Sequence, residues 1–194
     1  MVDKKEVTES IDSYLGEREK EVLKTLTLPT IRMLMKKKVR LNTSYYVYGS
    51  RKRLAQFKAF YLLSCLKEPA RPKYSLQMIS ERVKSLFNDS PDDIGVDDIL
   101  FIYVHKNDTG YGKTDDWVTS TIINDVANRN RKGYITIVLS ERPLPELANC
   151  GELKPVYLDT VTVKRAEDIT QQGKVESNVQ QSTRGVEGNS SIYN

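Results

Sequence analysis

Asp98-Ile-Leu-Phe-Ile-Tyr-Val104, Gly112-Lys-Thr-Asp-Asp-Trp-Val118 and Thr136-Ile-Val-Leu-Ser-Glu-Arg-Pro-Leu-Pro-Glu-Leu147 decide how this chain is read. The first and third carry apolar runs of strand length. The residues between them set Trp117, Val118, Ile122 and Val126 on one face of a helix. Strand, long amphipathic helix and strand make the crossover unit of a parallel sheet, so an α/β fold is expected.

Inside this stretch lies Asn107-Asp-Thr-Gly-Tyr-Gly-Lys-Thr114. A phosphate-binding loop needs glycine, four residues, then Gly-Lys-Ser/Thr, because bare backbone wraps the phosphates while the lysine neutralises them. Gly110, Gly112, Lys113 and Thr114 fit that pattern, but Asn107 stands where the first glycine belongs. Asp115 and Asp116 would also set two carboxylates in the helix turn that should face phosphate. The other reading is an ordinary helix start, with Thr114 or Asp115 as N-cap. Under the first reading the chain is a nucleotide-binding ATPase that uses ATP and Mg2+ at residues 107–114.

The order of the three segments, with an arginine near the end of the helix, resembles the DnaC/DnaI-type helicase loaders of the AAA+ class over about Asn42 to Arg165. The resemblance implies a three-layer, P-loop NTPase-like (AAA+, RecA-like) parallel sheet flanked by helices, with an N-terminal helical extension. Residues 1–41 would be the extension and 42–169 a degenerate core; from about Thr170 the composition turns to Gln, Ser, Asn and Gly, which cannot bury enough apolar surface to order itself, so 170–194 is expected to be a disordered tail. The resemblance also implies a Walker B strand ending in two acids, where this chain has Tyr103 and Val104. The matching phosphate loop would follow Tyr45-Tyr-Val-Tyr-Gly49, where Leu54, Ala55 and Gln56 replace glycine, lysine and hydroxyl. Ser140 and Glu141 fall at the sensor position, and Arg129 falls where loaders carry an arginine that reaches a neighbouring subunit's nucleotide. Arg129 as a solvated helix-end cation is the competing reading.

Without the lysine, the hydroxyl and the acids, a triphosphate and its metal lack protein partners. The expectation is thus a loader-like adaptor in DNA replication or a mobile element that has lost ATP hydrolysis and needs no cofactor. Its partners would be a replicative helicase or another AAA+ protein, with single- or double-stranded DNA and a possible oligomer. A structural or assembly protein on an inherited fold is a third reading.

The 194 residues carry a net charge of +4, which permits nucleic-acid contact without demanding it. Two basic runs are the candidates for DNA phosphates: Lys36, Lys37, Lys38 and Arg40, then Arg51, Lys52 and Arg53. The first can equally be a solvated helix end; the second stands at a helix start, where cations are unfavourable unless an anion is near.

Cys65, Cys150 and a single histidine, His105, make no metal-ligand cluster, and two reduced, buried thiols are expected. No apolar run reaches membrane-spanning length, which suggests a cytoplasmic protein. Along the chain, helices are expected at about Lys4–Leu26, at Thr30–Lys38 with Ile31, Leu34 and Met35 inward, at Lys52–Leu66 and at Tyr74–Phe87. A turn is expected at Asn88–Asp93, a short helix from Pro143, and one or two strands over Val156–Val163.

Overall fold

Alternation of side chains along the strands explains the layers. In the computed structural model, which describes residues 13–88, 97–108 and 115–159, strands β1 (Tyr45–Tyr48), β3 (Ile99–Val104) and β4 (Ile135–Ser140) form the centre of a sheet. Tyr45, Val47, Phe101, Ile137 and Leu139 point to one face, and Tyr46, Leu100, Ile102 and Val138 to the other. Because both faces are buried, these strands read as nearly continuous apolar runs. Among the described residues five strands pair in the order β2-β3-β4-β1-β5, all parallel, with β2 (Tyr74–Met78) and β5 (Lys154–Tyr157) outermost.

Helices α1 (Glu17–Lys24), α2 (Leu28–Lys36) and α3 (Arg51–Cys65) lie on the first face, and α4 (Ile79–Asn88), α5 (Asp115–Arg131) and α6 (Pro145–Asn149) on the second. Leu15 and Leu34 join the same apolar cluster as Leu54, Phe57 and Tyr61 of α3, so the N-terminal helices share the core of the sheet. All described residues fall in the unit Met1–Asp159. The start of the first expected helix, the turn from 89 onward, Gly110, Gly112, Lys113, Thr114, the strand beyond 159 and the tail from 170 lie outside the described residues.

Three expectations need correction. The run Tyr74–Phe87 is not one helix, because Tyr74, Leu76 and Met78 alternate with Ser75 and Gln77 and pair with Ile99, Phe101 and Tyr103 of β3. The helix starts only at Ile79, where Met78 N donates to Glu81 Oε2 (2.9 Å) and closes the turn. The helix expected to run to Leu26 is interrupted at Leu15–Gly16, with Gly16 extended at φ −67°, ψ 159°. The second helix starts at Leu28 and not at Thr30, with Pro29 in its first turn: Thr27 caps it by accepting from Thr30 N, and a proline there lacks only a donor that would be unpaired. As a result Thr30 and Leu34 face inward while Met35 is 64% exposed, on the same side as Leu28 at 69%. Helix α3 matches its expected span closely and is buried nearly all round.

Cys65 is buried and Cys150 half-buried, and both are free thiols. Burial pushes the Cys65 thiol up to about 11. Among the described residues no helix is long and apolar enough to cross a membrane.

Tyr46 ties the end of β4 to α6, since its phenol donates to Arg142 O (3.2 Å) and accepts from Leu144 N (2.8 Å). Burial pushes its pKa from 10.0 up to about 12. A folded pKa raised this way contributes stability that is complete below pH 10 and is lost as pH climbs through about 12. Alkaline unfolding curves are expected to steepen over that window, and a Tyr46→Phe variant to flatten them; an unchanged curve would contradict the assignment.

Candidate functional site

In open α/β sheets ligands sit beyond the carboxyl ends of the strands, where neighbouring crossovers leave in opposite directions. Here that place lies between β1 and β4: the chain leaves β1 toward β2 at one edge and leaves β4 toward β5 at the other. Three strand ends meet there. They are Gly49-Ser50 after β1, His105 after β3, and Glu141-Arg142 after β4.

At the β1 end a carboxylate stands where a phosphate loop would hold phosphate. Only Gly49 and Ser50 separate β1 from α3, so Leu54, Ala55 and Gln56, which align with a phosphate loop in the sequence, are interior residues of a helix. Gly49 N donates to Ser140 O (3.1 Å) and Ser50 N to Asp159 Oδ2 (2.5 Å). A carboxylate of the chain itself thus occupies the positive end of α3, and Arg53 Nε stands 4.0 Å from its other oxygen. This resolves the oddity of three cations at a helix start. The glycine is explained by packing: a Cβ at Gly49 would meet Leu158 Cβ at 3.0 Å and Asp159 Oδ2 at 3.3 Å.

At the β3 end Tyr103 takes the position expected of a metal-binding acid, and its hydroxyl donates to Glu141 Oε1. Burial raises the phenol pKa first and the Glu141 carboxylate raises it further, while Arg51 and Arg18 pull it down. His105 Nδ1 accepts from Asn107 N (3.2 Å), which leaves Nε2 to carry hydrogen toward Glu141 Oε2, 3.8 Å away. Glu141 is thereby held by β3 residues on its neighbour strand. One carboxylate with two such partners orients side chains; it does not reproduce a paired-acid metal site.

Arg129 is not solvated at the helix end. Its guanidinium is buried, Nε donating to Thr136 Oγ1 (3.1 Å) and Nη2 to Asp97 O (2.8 Å) and Ile135 O (3.3 Å), beside the Tyr134 ring. It is not a solvated helix-end cation; it ties the end of α5 to the start of β4.

The two basic runs do come together. Lys37 Nζ donates to Tyr157 O, and Arg53 faces Asp159, so both are anchored on the same few residues at the end of β5. Arg53 Nη1 also donates to Thr30 Oγ1 of α2 (3.2 Å), which joins the helices that carry the runs. With Lys37 and Arg53 as anchors, Lys36, Lys38, Arg40, Arg51 and Lys52 are left exposed.

Sequence reasoning does not single out several of the site residues. Lys58 is buried in α3 and pairs with Glu19 (2.8 Å); a lone lysine among Leu54, Phe57, Phe60 and Tyr61 is a signal for such a partner. Asp159 gives none, since Ser50 is 109 residues away. Arg18 reaches the site only because α1 packs on α3. No protein-family model matches the chain, and no curated protein matches it either.

Proposed function

We propose that the chain is a non-hydrolysing, helicase-loader-like adaptor of the cytoplasm, acting in DNA replication or on a mobile element, that holds DNA phosphates on its basic face. The observation that carries this reading is the convergence of the runs 36–40 and 51–53 at the end of β5, which leaves five cations exposed together. Lys38 adds to it. Its φ of 50° is a left-handed backbone that favours glycine, and a lysine held there costs roughly 1 kcal/mol. The five-stranded parallel sheet is compatible with a P-loop or Rossmann-like ancestor. The AAA+ relationship rests on the order of motifs, and Asp159 at the start of α3 supports the loss of nucleotide there. Leu28 and Met35, exposed on one side of α2, offer the surface for a protein partner such as a helicase or another AAA+ protein.

DNA affinity measured by fluorescence anisotropy should fall steeply between low and physiological salt. Replacing Lys36, Lys38, Arg51 or Lys52 with alanine should reduce the log–log slope by about one unit for each cation that pairs with a phosphate. Salt-independent binding, or slopes unmoved in these variants, would remove DNA from the proposal. A fluorescent ATP analogue with magnesium should show no saturable binding; binding that Lys113→Ala abolishes would instead establish an ATPase that uses residues 107–114. For the protein partner the informative variants are Leu28→Glu and Met35→Glu, since deleting the residues before Pro29 would also take Leu15 out of the core. Both should fail to retain a co-purifying partner, and its retention would move the interface elsewhere.

A further inference from the structure

Beneath α1 lies a cavity of about 210 Å3 at the carboxyl ends of β2, β3 and β4, which shares only Arg51 with the basic face at β5. Its apolar wall is Val22 of α1, Ala55 of α3, Leu76 and Met78 of β2, and Leu139 of β4. Its rim is polar: Arg18, Arg51, Tyr103 and His105. Lys58 and Glu19 also line it, but they neutralise each other. Glu141 stands behind the rim, held by Tyr103 and His105. Among the described residues Arg18 and Arg51 form no ion pair, although both act electrostatically on the Tyr103 hydroxyl. Two guanidinium groups are therefore free to receive an anion at the mouth of an apolar chamber. At the lip Leu76 is 43% exposed, an apolar surface that a bound molecule would cover.

We infer that this cavity binds a small organic anion, one aromatic or branched aliphatic body bearing a single carboxylate or phosphate, with its head between Arg18 and Arg51. Size limits the body to one ring: an apolar cavity of roughly 150 Å3 already holds benzene, whereas drug-sized ligands fill about 300 Å3 or more. The guanidinium groups suit either head group, since both present oxygens to a planar fork of donors. Leu139 of the wall and Tyr103 of the rim belong to the central strands, so the chamber is built on the rigid part of the fold.

The test is a methyl-resolved NMR titration of the full chain with benzoate, phenyl phosphate and neutral benzamide. At least one anion should saturate and shift the methyl signals of Val22, Leu76 and Met78, and benzamide should bind at least about tenfold more weakly, as expected where a neutral head replaces a charge-assisted hydrogen-bond acceptor. Which anion saturates names the head group. Arg18→Ala should weaken binding by a similar factor, and Ala55→Leu, which fills the chamber, should abolish it. Saturation by neither anion, equal binding of benzamide, or undiminished binding by both variants would overturn the inference. Arg51 also belongs to the basic face, so Arg18 and Ala55 carry this test while DNA binding is read through Lys36 and Lys38.

Discussion

An Asp125→Ala variant unfolds with about 3–5 kcal/mol less resistance than the parent, the range expected when one partner of a buried ion pair is removed. Arg82 on α4 donates through Nε and Nη2 to both carboxylate oxygens of Asp125 on α5, at 2.8 and 2.7 Å, with side chains only 2% and 6% exposed. Deleting Asp125 leaves a guanidinium enclosed between two helices with no counter-charge, and the buried Arg129 adds a like charge nearby. The uncompensated cation, more than the missing attraction, sets the size of the effect. A paired replacement, Arg82→Met with Asp125→Leu, should therefore recover most of the stability, because it removes both desolvated charges. Chemical denaturation of the three proteins checks this. A single variant within about 0.5 kcal/mol of the parent, the range of ordinary surface changes, would show that water reaches the pair.

The second large effect is local. Glu19→Ala removes the partner of Lys58, whose ammonium sits 2.8 Å from Glu19 Oε1 and 5.7 and 5.5 Å from the Tyr74 and Phe101 rings. About 3 kcal/mol is again at stake, but the chain has a cheaper escape than global unfolding. Helix α1 is held mainly by this pair, by the hydrogen bonds of Tyr14 OH to Pro72 O (2.8 Å) and of Tyr74 OH to Tyr14 O (3.3 Å), and by Leu15. Amide exchange should accelerate in Glu17–Lys24 while β3 and β4 stay protected, since elements with little buried apolar surface open first. Lys58→Met should be nearly neutral, because the thioether stays among the rings and Glu19 can turn to solvent. Uniform loss of protection in Glu19→Ala would show that α1 is not a separate unit of opening.

Periodicity makes the centre of the fold legible. Ile99–Val104, Asp115–Arg131 and Ile135–Ser140 read as strand, helix and strand, and the structure has them. The strands are continuous apolar runs buried on both faces, and the helix between them is long with one apolar face, so the pattern outweighs local preference. The miss at Tyr74–Met78 has the opposite cause. On an edge strand one side of the ladder is unpaired, its apolar residues are half-exposed, and the spacing Leu76, Ile79, Val83, Leu86 satisfies a helix as well as a strand followed by one. Met35 fails for a different reason: the inner face is held by Thr30 beside Leu34, and a polar residue turned inward to accept from Arg53 carries no apolar signal, so the pattern puts Met35 in its place.

The site is legible only in its backbone frame. The absence of the phosphate-gripping residues can be read directly, and so can the basic runs. What fills their place cannot, because Asp159 with Ser50, Glu141 with Tyr103 and Arg129 with Asp97 are pairings between distant positions. An aspartate after a strand or an arginine at a helix end is common enough that its type alone carries no direction. Only the strand order, which sets β1 between β4 and β5, brings residues 50 and 159 together.

That same order has a consequence for the chain as it leaves the ribosome. The aromatic strand Tyr45–Tyr48 finds both neighbours in Ile137–Ser140 and Lys154–Tyr157. At roughly 5–20 residues per second of synthesis, it waits some five to twenty seconds with its edges unpaired. During that interval β1 is the segment most exposed to premature association, and chaperone occupancy on the nascent chain should peak before Lys154–Tyr157 emerges.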